Sequence, residues 1–488
     1  MAPSRYHLGF TTLSAEASVD ELPMRGSFPE WLTGSLIRTG PAQFEVGQQP
    51  FHHWFDGLAM LHRFGFGGGR VSYRNRDLRS QAYEAATATG EISRREFATD
   101  PCRSIFQRVA SWFFPEPFTD NGAVNVTQWS EAVVALTETR LPVQFDPTTL
   151  ATIGVREYRS CAKAPIASAH PHFDRARNLH FSYLVEFGRQ SKYRLLAIDN
   201  QSGQETVVAT IPVDRPAYMH SFGMTERYLI LTEFPFVVNP LKLLLSGRPF
   251  IQNYEWRPER GTRFHVVEKA SGRVVRTARC EAFFAFHHVN AFEEDDDVVM
   301  DVVTRPDATI IDLLYLDRLR SDAPVDPTGK LMRFRITAKQ EITSERLTDV
   351  TLELPRFDYA HRAGLRHRFV YGASQTSPGE FFDSLTKVDL EHPGAAWWHE
   401  AGCYPGEPVF VAAPGATSED EGVILSVVLN TRRGASFLLV LNAATFTELA
   451  RAEAPHHIPF SFHGQYFGPG KANATSSDAE QTKGFKER

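Results

Sequence analysis

The sequence predicts an all-β protein with β-propeller architecture, on three observations. Short β-branched or aromatic runs alternate with Gly, Asp, Asn and Pro turn signals along most of the chain. Helical periodicity is confined to short pieces, such as the regions after Pro101 and around Ile310 to Leu319. No low-complexity linker interrupts the strands, and radial repetition of four-stranded blades handles many strands without long exposed edges. A strict repeat motif such as Trp-Asp is absent, so the blades have diverged.

In chain order, "GFGGGR" at 65–70 superficially suggests a phosphate loop, but strands flank it and no helix follows, so it reads as a hairpin turn. "KYRLLAIDNQSGQETVVATI" and "RFHVVEKASGRVVRTARC" each place a Gly-containing turn between two strands, the pattern of a β-hairpin. Between them, 234–256 is strongly apolar but broken by Pro240, Lys242 and Gly247, too interrupted to span a membrane. The acid run Glu293 to Asp297 lacks the spaced ligands of a calcium loop and reads as a solvated hairpin tip. "GVILSVVLNTRRGASFLLVLNAATFTELARAEA" adds further strands. Residues 1–470 are expected to form one domain, and 471–488, small, polar and charged, a disordered tail.

Composition excludes several classes. A formal net charge of -6 disfavours nucleic acid as a partner, since its binders are usually basic. Cys102, Cys161, Cys280 and Cys403 form no CxxC pair, which argues against a zinc ribbon or disulfide framework and fits a reducing cytoplasm. The first residues lack the apolar core of a signal peptide. The 37 Phe, 14 Tyr and 7 Trp are enough to line a long apolar cavity as well as fill a core.

Four histidine contexts share a pattern: "ASAHPHFD" with His170 and His172, "PAYMHSFG" with His220, "AFFAFHHVNAF" with His287 and His288, and "IPFSFHGQYF" with His463. Each places imidazole at the edge of a strand. Inner strands of successive blades converge on one axis, so histidines far apart in sequence can meet there, and several neutral imidazoles suit a divalent transition metal. A single histidine in an apolar strand is more often a hydrogen-bonded core residue. Successive strand residues face opposite sides, so at most one of His287 and His288 can be a ligand. His170 and His172 could share a face, and periodicity does not choose within either pair.

In this order, these contexts resemble the carotenoid cleavage oxygenases, and the likeness runs from about Phe28 to Phe467. "LTGSLIRTGPAQFEVG" and "HHWFDGLAMLHRFGF" are similar to the family's opening blade, and "TDPCRSIFQRVASWF" resembles an element of the animal branch. That branch includes central β-carotene cleaving enzymes and the retinoid isomerohydrolase. "RTGPA" departs from the usual Arg-Asn-Gly-Pro-Gly. The resemblance implies a seven-bladed propeller, with short helices capping a substrate tunnel and Fe(II) on the axis. It assigns His170, His220, His287 and His463 as metal ligands, leaving His172 and His288 as neighbours. It further implies Glu138, Glu407 and Glu448 as the glutamates that fix three of the ligand rings.

The implied function is Fe(II)-dependent cleavage of a β-carotene-like carotenoid by O2 at or near its central 15,15' double bond, giving retinal. The alternatives are cleavage of an apocarotenoid or stilbene double bond, and retinoid ester isomerohydrolysis without oxygen. No catalytic side chain beyond the metal centre is required. Because carotenoids live in bilayers, a cytoplasmic, peripherally attached protein is expected, resting on the membrane through apolar patches at 234–256 and 105–118. Cys102 matches a position proposed for lipidation in animal relatives, but a small apolar filler is the simpler expectation.

Overall fold

A computed structural model describes residues 6–101, 118–157, 164–392 and 394–469. The region after Pro101, the 105–118 patch up to 117, Cys102, Cys161 and the 471–488 tail lie outside the described residues.

The fold is predominantly β, with its strands in antiparallel sheets. The first sheet orders Ala17–Val19, Arg70–Asp77, Leu58–Gly67 and Gly34–Gln43, and ends on Gly464–Phe467 from the far end of the chain. Successive stretches then form their own sheets: Asn125–Trp129 to Thr152–Val155, Ile166–Ala167 to Glu205–Val213, and Gly223–Met224 to Val274–Cys280. A seven-stranded sheet runs from His288–Glu294 to Ala395–His399. In it the 15-residue strand Ile342–Arg356 pairs with Gly329–Ile336 along most of its length, then, past a register shift between Glu353 and Arg356, with Phe369–Ser374. Leu354 sits at that bulge with φ of 51°, a conformation that costs a branched side chain energy and re-aims its neighbours.

Turn chemistry explains the hairpins. Gly68 and Gly69, both with positive φ, join Leu58–Gly67 to Arg70–Asp77, so "GFGGGR" is a hairpin turn. Asp295 turns the acid run with φ of 53°, while Arg335 holds Glu294 and Asp297 and Arg227 holds Glu293, which leaves no free carboxylate cluster there. At Gly40 a Cβ would come within 2.5 Å of the Ser461 Cα, so the first sheet can press on the segment carrying His463 only without a side chain.

The helical region around Ile310 to Leu319 forms two short helices, Ile310–Leu313 and Leu316–Leu319. Helix Gln81–Thr89 was not expected from periodicity. It is fixed at its ends, where Ser80 Oγ accepts from the Tyr83 amide and Gly90 caps in the left-handed region. The Asp120 carboxylate takes the Gln81 and Ala82 amides at 2.7 and 2.9 Å.

Candidate metal centre

Each of the four predicted histidines stands just ahead of a strand at the inner edge of its sheet. His170 precedes His172–Asp174, His220 precedes Gly223–Met224, His287 abuts His288–Glu294 and His463 abuts Gly464–Phe467. One ring nitrogen from each lies within 4.8 Å of the other three. His170 Nε2 is 2.9 Å from His220 Nε2, and His287 Nε2 is 3.1 Å from His463 Nε2.

Three carboxylates fix the opposite ring nitrogens. His220 Nδ1 donates to Glu138 Oε1 at 2.6 Å, His287 Nδ1 to Glu353 Oε2 at 2.5 Å, and His463 Nδ1 to Glu407 Oε1 at 2.7 Å. Each glutamate is held in turn. Glu138 accepts from the Tyr218 hydroxyl, Glu353 from the Leu354 amide, and Glu407 from the Gly464 amide. The buried Arg38 guanidinium reaches Glu407 at 3.5 Å while donating to Ser461 Oγ and the Phe462 carbonyl. Burial would raise the Glu353 acid, but the His287 interaction and the other donors hold it below the usual carboxylate range.

This donor set fits a cation. With Nδ1–H committed to carboxylate, Nε2 of both His287 and His463 carries a lone pair, and the two lone pairs face each other across 3.1 Å. Burial, followed by the His287 and His220 rings, pushes His463 well below the usual histidine range, so its charged form does not relieve the contact. Burial and the other three imidazoles do the same to His170. A divalent metal held by these four residues would take up the facing lone pairs.

The neighbouring histidines are satisfied elsewhere. His288 Nδ1 and Nε2 each lie 2.8 Å from a hydroxyl, of Ser221 and Thr232, and burial lowers the ring to about 3. His172 bonds the Tyr359 hydroxyl and the Phe222 carbonyl, and burial lowers it to about 4.

One expectation is corrected. Glu448 lies on strand Glu448–Glu453, paired with Arg451 at 2.6 Å and reached by Trp398 Nε1 at 3.4 Å. That strand pairs with Ala435–Asn442 and Met24–Gly26, toward the edge of its sheet, and its first residue is exposed. Glu353 takes the place assigned to Glu448. The one local signal for it in the sequence is "TLELPRF", an acid flanked by two leucines, where an unpaired charge would be costly.

His220, His287 and His463 line a cavity that is open to solvent. Its walls are mainly aromatic and aliphatic, among them Phe55, Phe97, Phe250, Phe286 and Phe462. The polar exceptions include Arg95, Glu96 and Thr119.

Residues 10–468 match a family profile described as retinal pigment epithelial membrane protein. The chain is 33% identical to a mitochondrial carotenoid-cleaving dioxygenase of Mustela putorius furo, covering 93% of this chain and 95% of that protein. It is also 33% identical to the beta,beta-carotene 15,15'-dioxygenase of Rattus norvegicus, covering 94% and 91%. Among solved structures, a variant of a Synechocystis apocarotenoid oxygenase superposes with a TM-score of 0.85 at 26% identity, over 96% of this chain and 99% of that one. A cobalt-substituted form of the Synechocystis enzyme gives 0.85 at 27% identity, with the same coverage.

Proposed function

The chain belongs to the family of the retinal pigment epithelial membrane protein and the carotenoid-cleaving dioxygenases, and from that premise we propose that it is an Fe(II)-dependent dioxygenase cleaving a β-carotene-like carotenoid at or near its central double bond. The observation that carries the proposal is the four-imidazole cluster, three of whose histidines line a largely aromatic and aliphatic cavity. One O2 and one C=C bond give two carbonyl products, retinal from both halves of a symmetric substrate. Iron at the cluster would supply open coordination positions where dioxygen and the polyene meet.

The protein's own residues do the rest. His170, His220, His287 and His463 offer neutral nitrogen donors, while Glu138, Glu353 and Glu407 lock three tautomers and offset the charge of a divalent ion. Phe55, Phe286 and Phe462 line the cavity with the cluster, where they exclude water and align a rigid polyene; which bond lies over the metal follows from where the cavity stops the chain. No acid or base is called for by this stoichiometry.

Supporting readings complete the picture. The sheets form seven blades if the long sheet is divided at the Glu353 to Arg356 bulge, so that Ile342–Arg356 serves two blades, and residues 1–470 make one domain. Membrane docking is supported by helix Pro240–Leu245, which buries none of its residues and exposes Leu241, Leu244 and Leu245 by 64 to 69%. Arg248, just beyond it, accepts through its carbonyl from Arg95 of the cavity lining, which supports reading this apolar face as close to the cavity. No helix among the described residues is long and apolar enough to cross a membrane. A cytoplasmic protein touching the bilayer is the location this suggests.

The test is incubation of iron-loaded protein with detergent-dispersed β-carotene, in air and under argon, with chromatographic identification of products. Retinal formed only in air is expected. Longer aldehydes, or no product from β-carotene beside turnover of an apocarotenoid or stilbene, would displace the substrate. Oxygen-independent release of retinol from a retinyl ester would point to isomerohydrolysis.

A further inference from the structure

We propose that Glu96 is a polar recognition point within the cavity, donating a hydrogen bond to a carbonyl or hydroxyl oxygen at the end of a polyene substrate. The proposal rests on reading the cavity as the substrate tunnel. Glu96 lies on its wall and is 6% exposed, an acid side chain set among aromatic ones.

The surrounding donors explain why this acid is available. Two other buried carboxylates lie nearby, and amides and hydroxyls occupy both. Asp56 takes the Thr99 hydroxyl at 2.6 Å, the Ala98 amide at 3.0 Å and the His53 amide at 3.2 Å; Asp120 takes two helix amides. Among the described residues no backbone amide donates to the Glu96 carboxyl. The Thr119 hydroxyl lies beside it, and its oxygen accepts the Asn121 amide at 3.0 Å. The neighbouring Thr139 hydroxyl is committed to the Thr119 carbonyl at 2.8 Å.

Burial, reinforced by the negative charges of Asp56 and Asp120, raises Glu96 well above the usual carboxylate range. The neutral acid has its own O–H to offer a cavity ligand. A hydrocarbon end group gains nothing from that O–H and must leave it unpaired. An aldehyde, ketone or ring hydroxyl satisfies it, and a site built to hydrogen-bond an oxygen discriminates against the analogue lacking one. Among polyenes the tunnel accepts, one with an oxygen at its end therefore gains an interaction at Glu96 that a hydrocarbon end lacks.

The experiment compares wild type, Glu96→Leu and Glu96→Gln as full-length, iron-loaded protein. The probes are an apocarotenal and the hydrocarbon polyene of the same ring and length. Dissociation constants come from absorption titration and kcat/KM from product formation. Glu96→Leu is expected to weaken apocarotenal binding and kcat/KM about tenfold, with the hydrocarbon within about twofold, while Glu96→Gln, whose amide still donates, stays near wild type. Equal losses for both probes, or no loss for the aldehyde, would overturn the proposal. If wild type binds both probes but cleaves neither, the dioxygenase reading fails, and the binding ratio still decides the role of Glu96.

Discussion

A carboxylate that holds the Nδ1 proton of a ligating histidine orients the ring and strengthens its other nitrogen as a donor. Glu353→Gln should therefore raise the dissociation constant for iron about 10- to 100-fold. Glu448→Gln, which loosens only an exposed pair with Arg451, should leave it within about twofold; a metal titration of both variants that gave equal effects would contradict this assignment. Within the His287 and His288 pair, His287→Ala should lose the metal. His288→Ala should keep it and lose about 1–3 kcal/mol of stability, because the Ser221 and Thr232 hydroxyls are left without their buried partner. The histidine contexts were legible because each interrupts an apolar strand edge with an imidazole, while the choice of His170 and His287 within their pairs came from the resemblance; the four meet in one cluster. Glu448 rested on the resemblance alone, since its local pattern is that of a surface charge, and Glu353 was missed because it is one of three acids on its strand and the bulge that aims it at His287 is a tertiary feature.

At the scale of the element, two segments separate packing from contact with a partner. Helix Pro240–Leu245 exposes Leu241, Leu244 and Leu245 and packs only Leu243 partly against the core. Replacing Leu241, Leu244 and Leu245 with serine should reduce sedimentation with phosphatidylcholine vesicles severalfold while changing stability by less than about 0.5 kcal/mol. Undiminished vesicle binding would remove this helix from the docking surface. Strand Gly34–Gln43 behaves oppositely. Gly40→Ala would drive a methyl into the Ser461 backbone and should cost about 1–3 kcal/mol in denaturant unfolding; a neutral result would contradict the close approach. Hairpins were legible from their turns, as at Gly68–Gly69, whereas the Gln81–Thr89 helix was not. Its apolar period is weak, and its stability comes from Ser80, Gly90 and the distant Asp120.

For the whole molecule, burial of neutral histidines couples folding to pH. Burial, aided by the charges of His456 and Arg38, lowers His62 to about 3, and burial lowers His53 to about 3. Both lie below the unfolded value near 6.5, so the unfolded chain binds the extra protons between pH 6.5 and 3. Their contribution is present above pH 6.5 and is lost as pH falls. Asp56, raised by burial to about 6, acts in the opposite sense, contributing at low pH and losing that contribution as pH rises through 6. For one such histidine the loss between pH 7 and pH 5 is about 2 kcal/mol. His62→Phe should shrink the difference in unfolding free energy between those two pH values by that amount, and an unchanged difference would contradict a buried neutral His62.

The antiparallel all-β class and the convergence of four distant histidines were readable in the sequence. The way one strand, Ile342–Arg356, passes from one set of partners to the next was not, since it depends on pairing across the whole sheet. The account's central claim is that the four histidines bind one metal ion together. Iron content per chain, measured after anaerobic reconstitution for wild type, His220→Ala and His463→Ala, tests it most directly. One iron per wild-type chain, lost in both variants, is the predicted result; no iron in the folded wild type, or iron retained in both variants, would contradict it.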